Sequence, residues 1–189
     1  APPSDLLALP EVFACRGEDD DYRRLAEPIP GHLTCILAEM AGSRNTWLLA
    51  GSMIERDGQH IFNTSVLFDP RGHIAAAYRK IHLFEAELDD GRVIRERDIY
   101  EHGDAPVMAS INGWLCGLAI CYDLRFPELF RHYAAQGAHL LLIPSNFTQR
   151  TGRDHWEVLL RARAIENQCF VAAPDQCGAN PATGVVSHG

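Results

Sequence analysis

Apolar and polar positions along this chain fall into blocks whose spacing predicts the elements. DLLALPEVF opens as a short buried strand, residues 6–9, that runs into Pro10 and Glu11, and the acidic run EDDDYRR after it reads as a solvated loop. From about Pro30, Leu33, Ile36, Leu37 and Met40 recur at helical spacing, with Gly42 placed to end the helix. Three β-like runs follow, TWLLAGSMIE, IFNTSVLFD and IAAAYRK, separated by the turn signals RDGQ and DPRG; this is the pattern of an antiparallel meander. Residues 85–104 are polar and turn-rich, a candidate active-site loop.

In the second half, VMASI and WLCGLAIC flank Asn112-Gly113, the strongest short hairpin signal. PELFRHYAAQG has proline at a helix start and glycine at its end. LLLIP reads as a buried strand and CFVAAP as a further strand, and between them DHWEVLLRARAIENQ reads as a helix opened by Asp154 and Glu157 as a capping-box-like pair. Strands alternating with helices imply α/β layering with a largely covered sheet. No repeat, low-complexity segment or linker divides the chain, so residues 1–189 are expected to form one domain.

Composition narrows the function. With 189 residues, 47% of them hydrophobic, the chain has enough apolar material for a core. Its 17 Lys plus Arg against 25 Asp plus Glu leave a net charge of −8 and no long basic run, which gives nucleic acid or a membrane surface no electrostatic footprint. The longest apolar stretches fall far short of the roughly 20 residues of a membrane span. Six cysteines without a leader or CxxC spacing suit reduced thiols in a cytoplasmic enzyme better than a disulfide framework, and without HExxH no metal site is expected.

Candidate chemistry gathers where strands run out. Cys121 ends GLAIC, just before Tyr122 and Asp123 and the helix opened by Pro127. A thiol there is core packing, a metal ligand, half of a disulfide, or a nucleophile served by nearby backbone N–H groups and the helix dipole. A nucleophilic role needs a base or cation, because free cysteine titrates near pH 8.5. Glu11, after LLALP, is a solvated loop residue or a desolvated base. Lys80 shares a face of its strand with Tyr78 and His82, as an edge gatekeeper or a fixed cation facing a pocket. Glu96 sits in the polar loop as a solvated charge or a site residue. Asp123 and Arg125 read as an elbow-stabilising charge pair, and His155, Trp156 and Glu157 as helix-start architecture. Ser145, Asn146 and Phe147 follow LLLIP and are candidate pocket residues.

Taken in order, LLALPEVF, YRKIHLF, CYDLRFPEL and HWEVLLRARAIENQ resemble the nitrilase superfamily of carbon–nitrogen hydrolases over nearly the whole chain. Within it the likeness is to the branch of omega-amidase and deaminated glutathione amidase. The resemblance implies a four-layer α-β-β-α sandwich, a homodimer, no cofactor, and a triad of Glu11, Lys80 and Cys121. It implies a second glutamate sixteen residues after the lysine, which here is Glu96, with Arg97 where a small residue is usual. The implied activity is a thiol amidase acting on a small carboxylate-bearing amide through a cysteine thioester. In that reaction the backbone N–H of Tyr122 helps to hold the oxyanion. Nitrile hydrolysis or acyl transfer by the same triad, or a catalytically silent binding domain, are the competing readings. By the same likeness the sequence is expected to be trimmed at both termini.

Overall fold

The computed structural model describes residues 4–87, 91 and 93–189, and it stacks two β-sheets face to face with helices outside them. One sheet holds β1 (Leu6–Ala8), β2 (Trp47–Leu49), β3 (Met53–Asp57), β4 (His60–Phe68) and β5 (Ile74–Arg79). Its order is β1-β2-β4-β3, with β5 also pairing β4. Residues of this sheet alternate between two cores. Leu49 and Leu67 join Cys116, Leu118 and Leu141 of the other sheet, whereas Leu48, Val66 and Phe68 pack on Leu37 and Ala41 of a helix. That alternation is why one sheet serves two layers.

The acidic run expected as a loop is instead a helix, α1 (Asp19–Leu25). It shows no apolar stripe, but its charges fit a helix: Asp19, Asp20 and Asp21 fill the first turn, and Arg23 and Arg24 the last. The second helix, α2 (His32–Arg44), runs through Gly42, the expected stop, and closes at Asn45 in the left-handed conformation, φ 49°.

TWLLAGSMIE, which reads as one strand, is two. Leu48 pairs with Phe68 and Leu49 with Leu67, then Met53 pairs with Thr64. Four chain steps from Leu49 to Met53 thus face three from Leu67 to Thr64, a bulge of one residue. Gly51 at its centre has φ +43°, and a Cβ there would lie 1.9 Å from the Pro10 carbonyl oxygen. The bulge therefore makes room for the chain that follows β1.

Within the expected loop, β6 (Glu85–Glu87) and β7 (Val93–Arg95) form a small hairpin, followed by a 3-10 turn at Glu96–Asp98; residues 88–90 and 92 lie outside the described residues. The second sheet contains β8 (Val107–Ile111), β9 (Trp114–Leu118), β10 (Leu140–Leu142) and β11 (Phe170–Ala172), in order β11-β10-β9-β8. Asn112 and Gly113 form the two-residue turn with φ 49° and 86°, as expected. Helices α3 (Pro127–Ala135), α4 (Gln149–Thr151) and α5 (Glu157–Asn167) follow, and α3 and α5 pack together on the outside of this sheet. Asp154 does not cap a helix: it lies inside a π-helical turn, Gly152–Trp156, that joins α4 to α5. A further hairpin, β12 (Cys177–Ala179) with β13 (Val186–His188), pairs apart from the two sheets of the α-β-β-α stack. Among the described residues no helix is long and apolar enough to cross a membrane.

Gly51→Ala puts a methyl group onto a backbone oxygen and forces φ > 0 on an L-residue. It is expected to destabilise the fold by more than about 1 kcal/mol. Urea unfolding that gave wild-type stability would show that the bulge relaxes freely.

Candidate active site

Four residues singled out in the sequence, Glu11, Lys80, Glu96 and Cys121, line one cavity of about 310 Å³. Lys80 sits one residue past β5, its N–H donating to the Asn63 carbonyl (2.9 Å) and its carbonyl accepting from Gly103 (2.7 Å). Its ammonium, with no solvent exposure, donates to Glu11 Oε1 at 2.8 Å and lies 2.8 Å from both carboxylate oxygens of Glu96. Glu11 is fixed further by Asn63, whose Nδ2 donates to the same Oε1 at 2.9 Å. Its backbone N–H donates to the Ser145 carbonyl, and its carbonyl accepts from Gln176 Nε2 at 3.0 Å. Glu96 opens the 3-10 turn and accepts from the Phe84 backbone N–H at 2.7 Å.

Cys121 begins a second 3-10 turn, Cys121–Arg125, between β9 and α3. Its φ of +45° is unusual for a residue with a side chain and marks a strained elbow. The Cys121 N–H donates to the Pro144 carbonyl at 2.9 Å, which ties the elbow to the end of β10.

Burial pushes the Cys121 thiol well above its ordinary range, and the Glu11 charge adds to this, while the Lys80 ammonium and the Asn146 backbone N–H pull it back. Burial alone pulls the Lys80 ammonium down, but Glu11 and Glu96 outweigh it and hold the group well above its usual value. The Glu96 carboxyl is raised, first by burial, against the opposing pull of Lys80. A further, half-buried acid, Asp175, accepts from the Phe147 N–H at 2.9 Å and is pushed up to about 6, chiefly by burial.

The other expected site residues divide. Tyr122, Asn146 and Phe147 line the cavity; the Tyr122 ring stands edge-on to Phe84 at 5.3 Å and to Phe126 at 5.5 Å. Ser145 does not line it. Fully buried, it donates its hydroxyl to the Ile143 carbonyl at 3.1 Å, and its backbone carries the contact to Glu11. Asp123 and Arg125 do not form the expected charge pair: Asp123 turns inward to Tyr78 and His82, and Arg125 turns to His155 Nδ1 at 3.2 Å. His155 and Trp156 belong to the π-helical turn rather than to a helix start, and Trp156 packs on Phe147 with ring centroids 4.8 Å apart.

Three neighbours of the cavity were not foreseen. Asn63 opens a polar triplet, Asn63-Thr64-Ser65, between the apolar ends of β4, a signal the sequence did carry. Tyr100, deeply buried against Glu96, follows no apolar pattern. Arg16 donates to the carbonyls of Cys177 (2.7 Å) and Gly178 (3.2 Å) and to Ser187 Oγ (2.8 Å), a contact across the chain that no local pattern announces. Among the described residues no three His, Cys, Asp or Glu side chains are grouped as metal ligands would be.

An α-β-β-α sandwich with a buried cysteine, lysine and two carboxylates around one cavity defines a class of α/β proteins with a thiol in an ion-paired pocket. The chain belongs to the carbon-nitrogen hydrolase family, whose model matches residues 2–189. It is 40% identical over 180 residues to a deaminated glutathione amidase of Synechocystis, covering 93% of this chain and 66% of that protein. It is 38% identical over 167 residues to the human omega-amidase NIT2, covering 88% of this chain and 60% of the relative. The crystal structure of the C. elegans NitFhit protein superposes with a TM-score of 0.87 at 36% identity, over 98% of this chain and 46% of the other. The chain thus spans somewhat less than two thirds of these curated relatives.

The raised Asp175 carboxyl makes a pH-dependent contribution to stability. Between its usual value near 3.8 and about 6 the folded protein holds a proton that the unfolded chain releases. Its contribution is therefore full below about 3.8 and is lost as pH rises through about 6. Denaturation from pH 4 to 7 is expected to show a steeper decline, or a smaller rise, for wild type than for Asp175→Asn. Parallel profiles would place this carboxyl at its ordinary value.

Proposed function

We propose that this chain carries the site of a thiol amidase that hydrolyses a small carboxylate-bearing amide to acid and ammonia. The observation that carries this reading is the Lys80 ammonium held at 2.8 Å by both Glu11 and Glu96 in the cavity that Cys121 enters on its strained elbow. Because the Cys121 thiol is raised, it rests protonated and needs a base beside it. Glu11 takes the proton on Oε2, the oxygen that neither Asn63 nor Lys80 engages, as sulfur attacks the carbonyl carbon. The oxyanion is held by the Lys80 ammonium and the Tyr122 backbone N–H, each such donor contributing about 3 kcal/mol. Glu11 then protonates the departing nitrogen, ammonia leaves, and a thioester remains. Water that yields a proton to the same carboxylate releases the acid and restores the thiol. Glu96 keeps Lys80 charged and aimed. No cofactor enters the cycle.

The names of the relatives support an amide with a second acidic group, and Arg16 and Arg125 in the cavity wall supply cations for it. Six free cysteines suit a cytoplasmic setting, and a homodimer suits α5, where Val158 and Ile165 are 67% and 76% exposed on one face. Sedimentation of the complete gene product is expected to show at least a dimer at micromolar concentration; a monomer alone would overturn that part.

In assays of the amine released, ammonia from α-ketoglutaramate or cysteinylglycine from deaminated glutathione, one of these two substrates is expected to exceed acetamide and a plain nitrile in kcat/KM. The reading fails if acetamide or the nitrile is best. Cys121→Ala should abolish turnover with the fold intact. Glu96→Gln should lower kcat at least about tenfold, a barrier change of roughly 1.4 kcal/mol. Glu85→Gln should stay near wild type, because Glu85 pairs at the surface with Arg95 and Arg97. A crippled Glu85→Gln beside an active Glu96→Gln would assign the fourth role to the wrong carboxylate.

A further inference from the structure

Asp123 is fully buried and is not part of the cavity wall, yet its carboxylate gathers four hydrogen bonds from two separate elements. Oδ2 accepts from the Tyr78 hydroxyl at 2.7 Å and from the Ile120 backbone N–H at 2.8 Å. Oδ1 accepts from the His82 backbone N–H at 3.0 Å and lies 2.7 Å from His82 Nδ1. Tyr78 and His82 are the residues two before and two after Lys80. Ile120 is the residue before Cys121. One carboxylate thus brackets the segment that carries the ammonium and holds the strand end that delivers the thiol.

The surrounding packing stiffens the same joint. The His82 ring stacks flat on Phe126, at the end of the elbow, with centroids 3.7 Å apart and planes within 9°. Arg163 of α5 donates through Nε to the Leu124 carbonyl at 3.0 Å, within the elbow itself. Lys80 and Cys121 come from different sheets, so sheet-to-sheet sliding would change their separation directly. The Asp123 bonds resist that sliding, because both sets of donors end on the two oxygens of a single planar group.

We propose that Asp123 is a positioning residue that sets the Lys80 ammonium relative to the Cys121 sulfur, acting through Tyr78, His82 and Ile120 and touching neither substrate nor sulfur. The proposal rests on the amidase reading above. It accounts for an inward-facing acid two residues from the thiol without giving it a proton to move. It also separates this carboxylate from Glu11 and Glu96, which bond the ammonium directly.

Asp123→Asn keeps the shape but leaves one side of the planar group a donor, opposed to the donors it faces. A displacement of about 1 Å in such a site can cost on the order of a hundredfold in rate. Asp123→Asn is therefore expected to lower kcat by at least about tenfold with KM changed by less than about threefold. It should also slow alkylation of Cys121 by iodoacetamide, because Lys80 no longer favours the thiolate. Tyr78→Phe removes the Asp123 bond, together with a weak 3.4 Å bond from the Ile81 N–H, with little change of volume, and should show a smaller loss of the same kind; it decides the matter if Asp123→Asn does not fold. Measurements are made well below each variant's melting temperature. Variants that melt earlier yet keep wild-type kcat and alkylation rate would reduce Asp123 to a structural anchor and overturn the proposal. If the wild type turns over no amide, the amidase reading falls; an active wild type matched by both variants in kcat and alkylation rate sinks this inference alone.

Discussion

A buried ammonium between two carboxylates is the interaction on which the rest of this molecule turns. Removing such charges from water costs several kcal/mol per ion, and the attraction among them offsets this only when their geometry is good and the remaining polar atoms are bonded. Here Asn63 and Lys80 bond Glu11 Oε1 and the Phe84 N–H bonds Glu96, while Glu11 Oε2 is left to take the thiol proton. With one cation and two anions the cluster keeps a net negative charge, so a thiolate added beside it would be opposed. In the proposed reaction the thiol proton therefore passes to Glu11 as the bond forms rather than leaving beforehand.

Backbone shape does as much as charge to bring these groups together. The bulge at Gly51 clears the way for Pro10, and Val12, two residues later, adopts φ 47° with its N–H on Ser52 Oγ at 2.9 Å. Glu11 is held between these two unusual conformations. Cys121 is the counterpart on the other sheet, with its own positive φ and a backbone bond to Pro144. Strain of this kind persists only where the surroundings over-determine the chain, and it is found here at both ends of the candidate site.

The sheets were legible because strand alternation and turn chemistry are local. Asn112-Gly113 forms its turn as read, and Leu48, Leu49, Leu67 and Phe68 sort to opposite faces by parity. What escaped was governed by something other than apolar period. Helix α1 is specified by charge order at its two ends, and the bulge in TWLLAGSMIE hides inside an unbroken apolar run, where one residue more or less leaves no mark. Asp154 offered capping chemistry, but the helical path had already begun at Gln149. Glu11, Lys80, Glu96 and Cys121 were found through motif resemblance and do share a cavity, whereas residue type and spacing alone left each with an innocuous alternative. Asn63 was visible as a polar break in a strand. Arg16 was not, because its partners lie more than 160 positions away.

That last separation bears on the order in which the molecule comes into being. Arg16 reaches the carbonyls of Cys177 and Gly178, and Gln176 reaches the carbonyl of Glu11. The wall of the cavity is thus closed by contacts between segments more than 160 positions apart, the earlier of which leaves the ribosome well before the later. Contacts of such long span form slowly, since the intervening loop must be gathered before they add any stability. The strands bearing Lys80 and Cys121 are synthesised well before those closing residues. A nascent chain therefore holds a cysteine elbow and an ammonium without this part of their enclosure until the β12–β13 hairpin has been made.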